Sequence, residues 1–554
     1  MTVADAASWL RTRRGLLVLW LTATIAVAVT TVIMQWIGVP GWDDAAHAYK
    51  VLLLRRGYSL FWDNYWYGGG YGAIKYGFLF YLLAQYIPGA VITIVASGTV
   101  PLSYYLYQRD MWHVDDIWPA CLLAIGMCLY QAHGQDPFLL ALALTMAGLA
   151  LLARRHPLWA ALVVVLGVFA NPMGFVVAVP FMAADVIARA EVRRRYALFA
   201  LGVMPGVAAR VALGWAFTEP GAYLNETSQL MVFLSFALVG LALAGVNATV
   251  ERRPFVVMFL VYAVICVVSF VMPGSPLGNN IGRFLMVFCL PLLFLLRQSR
   301  LSGSYLIRDL AIIPVIVFAC LQYGNALAHL YSEEERPQTT RAYFAPALRA
   351  ASQYYDPNYR LHVVALRRHW EALYFPEAGY PITRGWYRQA DAIHNRVFYT
   401  PYDGVSYRAW LRAMGVKYVF SARTLLDPWS RREARLLEAS PAFSLVDETG
   451  AWRIYEYRDA QPLLVPMPGS TSSASGKVER VGHETIDVAV DGPGRFLLKF
   501  TWSPYLTLDG GPGRVRRAPG LFIELDLPRA GHYAVRFQVT ARDAFALAAA
   551  KVGA

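Results

Sequence analysis

The chain has 554 residues, 57% of them hydrophobic and only 16% charged, against about 25% charged in ordinary soluble domains, which excludes a wholly water-soluble protein. The formal net charge of +13 does not point to nucleic acid, because the arginines fall in short clusters between apolar runs rather than along one face or in a basic tail. Cys121, Cys128, Cys266, Cys289 and Cys320 all lie in apolar runs, so no disulfide framework is open to the hydrophilic part of the chain.

Apolar runs fill residues 15–330, whereas 331–554 reads as soluble sequence with mixed charge and turn residues. The first run, Gly15–Gly38, follows Arg11, Arg13 and Arg14. It is longer than the 7–15 residues of a signal-peptide core and lacks a small-residue cleavage site, so it reads as an uncleaved first helix with its N-terminus inside. At about 20 apolar residues per crossing, the pattern predicts eleven spans: 15–37, 78–108 (broken near Pro88-Gly89), 117–133, 137–153, 158–170, 173–189, 196–217, 228–246, 254–272, 282–297 and 309–330.

Lys and Arg accumulate in short cytoplasmic loops. Arg109, Arg154/Arg155, Arg193/Arg194/Arg195, Arg252/Arg253 and Arg297/Arg300/Arg308 alternate with outer turns near 134–136, 171–172 and 218–227 that carry no Lys or Arg. The long first outer loop, 39–77, is the exception, with Lys50, Arg55, Arg56 and Lys75. An odd number of spans then places residue 331 outside.

That first loop holds the most chemistry. Asp43 and Asp44 follow the first span closely, and Asp44–Arg56 has no breaker, with Ala45, Ala48, Val51 and Leu52 at helical spacing, the pattern of an interfacial amphipathic helix. Asp44 and His47, three residues apart, share a face of such a helix. The bland assignment is Asp43 as N-cap, Asp44 as a first-turn acid and Gly57 as the closing residue. The functional one is a carboxylate pair beside the bilayer that takes a proton from an acceptor hydroxyl or holds a divalent cation. The aromatic and glycine run 61–77, with Trp62, Tyr67 and Lys75, suits either a sugar site or an interfacial aromatic belt. Asp136 of GQDP (134–137) is a second outward acid with a capping alternative, and it joins Asp43 and Asp44 as the acids a divalent cation would use. In SPLGNNIGRF (275–284), Asn279, Asn280 and Arg283 stand at the outer end of an apolar helix. An arginine at membrane depth calls for a partner, and a phosphate suits its fork of donors, with snorkelling to the interface as the alternative.

Beyond residue 331, Tyr407–Ala413 predicts a helix capped by Gly415, and Lys417–Phe420 a strand. PMPGSTSSASG (466–476) reads as a linker. Tyr533, Val535, Phe537 and Val539 alternate as in a half-buried strand. Asp543–Ala554 is apolar but far too short to cross a bilayer, and reads as a surface helix or the stump of a further span. The expected fold is a polytopic α-helical membrane domain over 1–330 with 39–77 as an interfacial outer loop, an exported α/β domain over 331–465, and a small β-sandwich-like module over 477–554.

The D-x-x-H element (Asp44, His47), Trp62, the glycine run and FLFYLLA (78–84) resemble polytopic bacterial membrane proteins of the GT-C glycosyltransferase superfamily. The likeness is nearest to the branch labelled 6-pyruvoyl-tetrahydropterin-synthase-related membrane proteins. PLGNNIGRF (276–284), WLRAMGVKYVF (410–420), WRIYEYRD (452–459) and FLLKFTWSPYLTLDG (496–510) extend the likeness over both halves of the chain. One departure is Tyr76-Gly77, where the resemblance leads one to expect proline before FLFYLLA. The resemblance implies a multi-pass enzyme of the bacterial plasma membrane that moves a sugar from a polyprenyl-phosphate donor to an envelope glycan or lipid acceptor. The catalytic base then falls on Asp44 or its neighbour Asp43. Two rivals stand beside this reading. A lipid-sugar flippase calls for several charges midway through spans and for internal repeats, and only Arg210 lies well inside a span. A non-catalytic envelope scaffold or glycan-binding membrane protein would leave the acids as helix caps.

Overall fold

The computed structural model describes residues 12–38, 41–71, 76–218, 226–246, 250–272, 277–297, 335–467 and 474–544, with Ile74, Leu547 and scattered positions between 313 and 324. The chain forms two compact units: Met1–Asp44, Tyr76–Val211 and Ala222–Ser332 make the first, and Ala45–Lys75, Ala212–Gly221 and Glu333–Ala554 the second.

The helices of the apolar part are α1 (Arg13–Ile37), α2 (Asp44–Arg55), α3 (Phe78–Ala84), α4 (Gly89–Trp112), α5 (Trp118–Tyr130), α6 (Asp136–Ala153), α7 (Pro157–Ala170), α8 (Pro172–Ala188), α9 (Arg193–Ala216), α10 (Thr227–Val246), α11 (Arg252–Val271) and α12 (Arg283–Leu296). Among the described residues, seven helical segments are long and apolar enough to cross a membrane: Arg13–Ile37, Gly89–Trp112, Asp136–Ala153, Ala190–Ala216, Thr227–Val246, Arg252–Val271 and Gly278–Leu296. Each falls on an expected span. The expected 78–108 is two helices, because Pro88 lacks an N–H to continue α3 and instead sits at the N-cap of α4. The expected pair 158–170 and 173–189 is the short couple α7 and α8, which turn at Asn171, whose Oδ1 accepts the Met173 N–H at 2.9 Å. The expected 117–133 is the 13-residue α5, and 309–330 lies largely outside the described residues.

Side-chain exposure in the first unit is that of a protein solvated by lipid. Leu17, Leu21, Ile25, Val29, Val32 and Trp36 of α1 are exposed, a surface that water would not tolerate over such an area. Inside, small residues let helices close: a Cβ at Gly98 would lie 2.1 Å from Thr24 Oγ1, and one at Gly148 2.4 Å from Val164 Cγ2. Tyr104, Tyr107, Trp112, Phe181, Phe255, Phe284 and Phe288 fill the centre.

Helix ends expected on one side meet each other. Asp110 pairs with Arg109 and Arg154, each at 2.8 Å. Arg189 pairs with Glu251 at 2.9 Å, and Arg195 donates to the Ala153 carbonyl at 2.9 Å. The turns at 41–44, 76–77 and 134–136 and the start of α12 meet in the candidate site described below.

In the second unit, β1 (Arg360–Val363), β2 (Val416–Ala422), β3 (Phe443–Thr449) and β4 (Trp452–Tyr457) form a sheet of order β1-β2-β4-β3. β1 and β2 run parallel and the other pairs antiparallel. Helices α13 (Arg341–Tyr354), α14 (Glu371–Glu377), α15 (Arg388–His394), α16 (Gly404–Met414) and α17 (Arg431–Ala439) accompany it. As expected, α16 ends at Gly415, which takes the left-handed φ of 68° and leads into β2.

The remaining strands are β5 (Leu464–Pro466), β6 (Gly476–Val481), β7 (Thr485–Val490), β8 (Gly494–Leu498), β9 (Leu506–Asp509), β10 (Arg514–Arg517), β11 (Ile523–Leu527) and β12 (Gly531–Phe537). They build two four-stranded sheets of order β10-β11-β8-β5 and β6-β7-β12-β9. β5 stands before the Pro/Ser/Gly stretch yet pairs with β8 after it. Most of Asp543–Ala554 lies outside the described residues.

Residues 45–71 of the first loop are built into this second unit. Trp66 Nε1 donates to the Ala372 carbonyl at 2.8 Å, the Asn64 N–H to His483 O at 2.8 Å and the Thr501 N–H to Gly68 O at 2.7 Å. α2 accordingly buries Ala45, Ala46, Tyr49 and Leu53, not the expected Ala45, Ala48, Val51, Leu52 stripe. Tyr49 must turn inward to stack on Trp66, centroids 4.7 Å apart, and to donate to Asp63 Oδ2 at 2.9 Å.

Candidate active site

In the first unit, three separate sequence segments bring Asp43, Asp44, Asp136 and Arg283 together. Asp44, the first residue of α2, accepts the Gly41 N–H on Oδ2 at 2.8 Å. Its Oδ1 lies against the turn before α6, where a Cβ at Gly134 would sit 2.3 Å away and one at Gly41 would meet Gly134 Cα at 2.2 Å. Gly134 also has φ +61°, so this approach and this backbone both require glycine. Asp43 accepts the Tyr76 hydroxyl at 3.2 Å. Asp136, at the start of α6, is bonded by Thr93, and the charges of Asp44 and Asp43 act on it. All three acids are half-buried.

Arg283 opens α12 and is 5% exposed. Its guanidinium lies 4.6 Å from the Phe138 ring centroid, and Nη2 is 3.5 Å from the Tyr76 hydroxyl, at the limit of a hydrogen bond. Nη1 is buried and has no hydrogen-bond partner among the described residues. Asn279 and Asn280 lie in the 3-10 turn Gly278–Gly282 just before it, half-buried. Tyr76, which links Asp43 to Arg283, was not anticipated from the sequence. The only signal was its place in the Tyr76-Gly77 departure. Gly77 serves packing there, since a Cβ on it would lie 2.7 Å from Pro137 Cγ.

The other candidates belong to the second unit. His47 is buried in α2. Trp62 is 2% exposed and donates to Asn64 Oδ1 at 2.8 Å, its ring stacked 5.1 Å from Phe537. Tyr67 takes a left-handed φ of 60°, stacks on His394 at 5.2 Å and donates to the Tyr387 carbonyl at 3.0 Å. The glycines after it are needed by protein neighbours, because Cβ atoms at Gly68 and Gly69 would lie 2.5 Å from Arg360 Nη2 and from Trp62 Cζ2. This run is therefore packed into the second unit. Lys75 lies outside the described residues.

Asp63, not anticipated from the sequence, is the hub of that packing. It accepts from Tyr49, from His483 Nδ1 at 2.9 Å and from the Tyr65 N–H at 3.2 Å, and faces Lys50 Nζ at 3.7 Å. Burial pushes its carboxyl up, but the His483 bond, the Lys50 charge and the Tyr49 bond outweigh burial and hold it below the ordinary value.

Among the described residues, no group of three or more His, Cys, Asp or Glu side chains is arranged to hold a metal ion. The cluster is three carboxylates and one guanidinium at helix ends. It can accept a proton, through Asp44, and hold an anion, through Arg283.

No family model matches the chain, and no curated protein matches it. Among solved structures, the chain is similar to the archaeal oligosaccharyltransferase AglB from Archaeoglobus fulgidus, in complex with an inhibitory peptide and a dolichol-phosphate, at a TM-score of 0.41 and 11% identity over 75% of this chain and 70% of that one.

Proposed function

We propose that this chain is a membrane glycosyltransferase that moves a sugar from a polyprenyl-phosphate carrier to a hydroxyl of a cell-envelope glycan or lipid. One observation carries the reading. Arg283, buried at the head of an apolar helix, keeps an unpartnered N–H among the described residues, in a cluster with three carboxylates. A buried guanidinium donor without an acceptor is costly, and an ionisable residue within an apolar span is by default functional. A lipid phosphate supplies the acceptor oxygens that its planar fork is built for.

In this reading Asp44 removes the acceptor hydroxyl proton as the acceptor oxygen bonds to the anomeric carbon. The bond from that carbon to the phosphate oxygen breaks, and its electron pair leaves with the carrier phosphate, whose added charge faces Arg283. Asp43, held by the Tyr76 hydroxyl that also meets Arg283, is a positioning residue.

The reading puts the N-terminus in the cytoplasm of a bacterial plasma membrane and residue 335 outside. A reporter active only outside the cytoplasm is then active when fused after residue 335 and silent when fused near Arg253; the reverse pattern would overturn the orientation. The catalytic test is Asp44→Asn in purified protein. Asparagine keeps the acceptor oxygen for the Gly41 N–H but is no base, so transfer falls about 100- to 10,000-fold with the melting temperature unchanged, and Asp43→Asn costs less. Wild-type rates in both variants would make a non-catalytic, glycan-binding role the better reading.

A further inference from the structure

The second unit contains a cavity of about 440 Å3, within the roughly 300–1,000 Å3 range of sites that bury small organic ligands. Trp62, Tyr71 and Trp502 give it aromatic walls, and Thr501, His394 and Arg517 put polar heads on the same surface. These walls are held in place before any ligand arrives. Trp62 is fixed by Asn64 and Phe537, Tyr71 shares a hydrogen bond of 2.5 Å with Ser503, and His394 is stacked on Tyr67. The Arg517 guanidinium lies 5.8 Å from the Trp502 ring, so a cation flanks an aromatic face. Ala216, the last residue of the apolar helix α9, also lines the cavity and is tied down by the Tyr505 hydroxyl at 2.9 Å.

We infer that this cavity is a saccharide-binding site that favours an acidic sugar. Aromatic faces pack on the C–H faces of sugar rings, and hydroxyl, imidazole and guanidinium groups beside them match ring hydroxyls and a carboxylate. An acyl chain would bury those polar heads without partners, at a cost of kilocalories each. Naming that sugar the acceptor rests on the proposed function, whereas binding needs no transfer.

The test uses the full-length chain in lipid nanodiscs and equilibrium dialysis of three radiolabelled probes: cellobiose, N,N′-diacetylchitobiose and digalacturonate. Saturable binding is expected, with digalacturonate tightest. Trp502→Ala weakens every probe that binds by about fivefold to tenfold, Trp502→Phe restores most of it, and Arg517→Ala weakens digalacturonate alone. Unchanged melting temperatures show that the variants fold. No saturable binding of any probe to wild type, unchanged affinities in Trp502→Ala, or displacement of the bound probe by oleate would each overturn the inference. Should wild type bind no probe while Asp44→Asn still abolishes transfer, the saccharide site falls and the catalytic reading stands. Binding retained with transfer untouched by Asp44→Asn would leave the site standing and remove the catalytic reading.

Discussion

Replacing Asp63 by asparagine tests whether the first loop is structurally part of the second unit. The carboxylate is 4% exposed and Lys50, 3.7 Å away, 2% exposed. Asparagine keeps the shape and an acceptor oxygen but removes the charge that the buried Lys50 ammonium faces; the Tyr49 and Trp66 rings lie 5.0 and 4.3 Å from that ammonium. Breaking a buried pair on one side costs about 3–5 kcal/mol. In domains of 150–250 residues each kcal/mol moves the melting temperature by about 2–4 °C, so Asp63→Asn should lower the transition of the second unit by roughly 6–20 °C. The double variant Lys50→Met/Asp63→Asn should recover most of the loss, since no uncompensated charge is then left inside. The sign with pH follows from the lowered Asp63 value: its contribution is present above the unfolded value of about 3.9 and fades as pH falls through the lower folded one. Differential scanning fluorimetry at pH 7 and at pH 3 reads both effects, and the gap between wild type and Asp63→Asn should narrow at pH 3. A drop of less than about 2 °C at pH 7 would refute the argument, because a buried Lys50 could not lose its counter-charge so cheaply.

Arg283→Ala should weaken binding of a polyprenyl-phosphate sugar more than Arg283→Lys, since lysine keeps the charge but not the fork; equal wild-type affinity in both, measured by lipid-sugar titration, would return Arg283 to a snorkelling role. Gly134→Ala should reduce transfer at least tenfold while the chain still folds, because the added Cβ, 2.3 Å from Asp44 Oδ1 at a left-handed φ, must displace Asp44, the proposed base; an unchanged rate would detach this turn from the site. Lys499 is 3% exposed and donates to the Arg412 carbonyl at 2.7 Å. Burial, with the Arg360 charge, lowers its amine to about 8, so stability should rise between pH 8 and 10.5, where only the unfolded chain still binds the proton. Lys499→Met should flatten that rise and raise the melting temperature at pH 7, as thermal scans across this range would show.

Much of the apolar half was legible in the sequence because lipid solvation imposes one rule on every span: about 20 apolar residues with all backbone groups paired internally. The seven membrane-length segments therefore fall where the hydropathy placed them. Arg154 beside Asp110 and Arg189 beside Glu251 show that the basic clusters had marked helix ends on a common side. Asp43, Asp44, Asp136 and Arg283 could be singled out for a related reason: a charge beside an apolar run is expensive enough to be noticed one residue at a time.

What only the tertiary structure decided is which of these groups meet, and what the first loop is for. Tyr76 carries no charge and has no periodicity to betray it, yet its hydroxyl links Asp43 to Arg283 across more than 200 positions of sequence. The aromatic and glycine run from Trp62 to Gly70 has the same composition whether it faces a sugar, a headgroup layer or a protein core. Contacts to Ala372, His483 and Thr501, more than 300 residues away, pack it into the second unit. Composition records how much apolar surface a segment must bury; long-range contacts decide against what, and a single sequence read locally does not contain them.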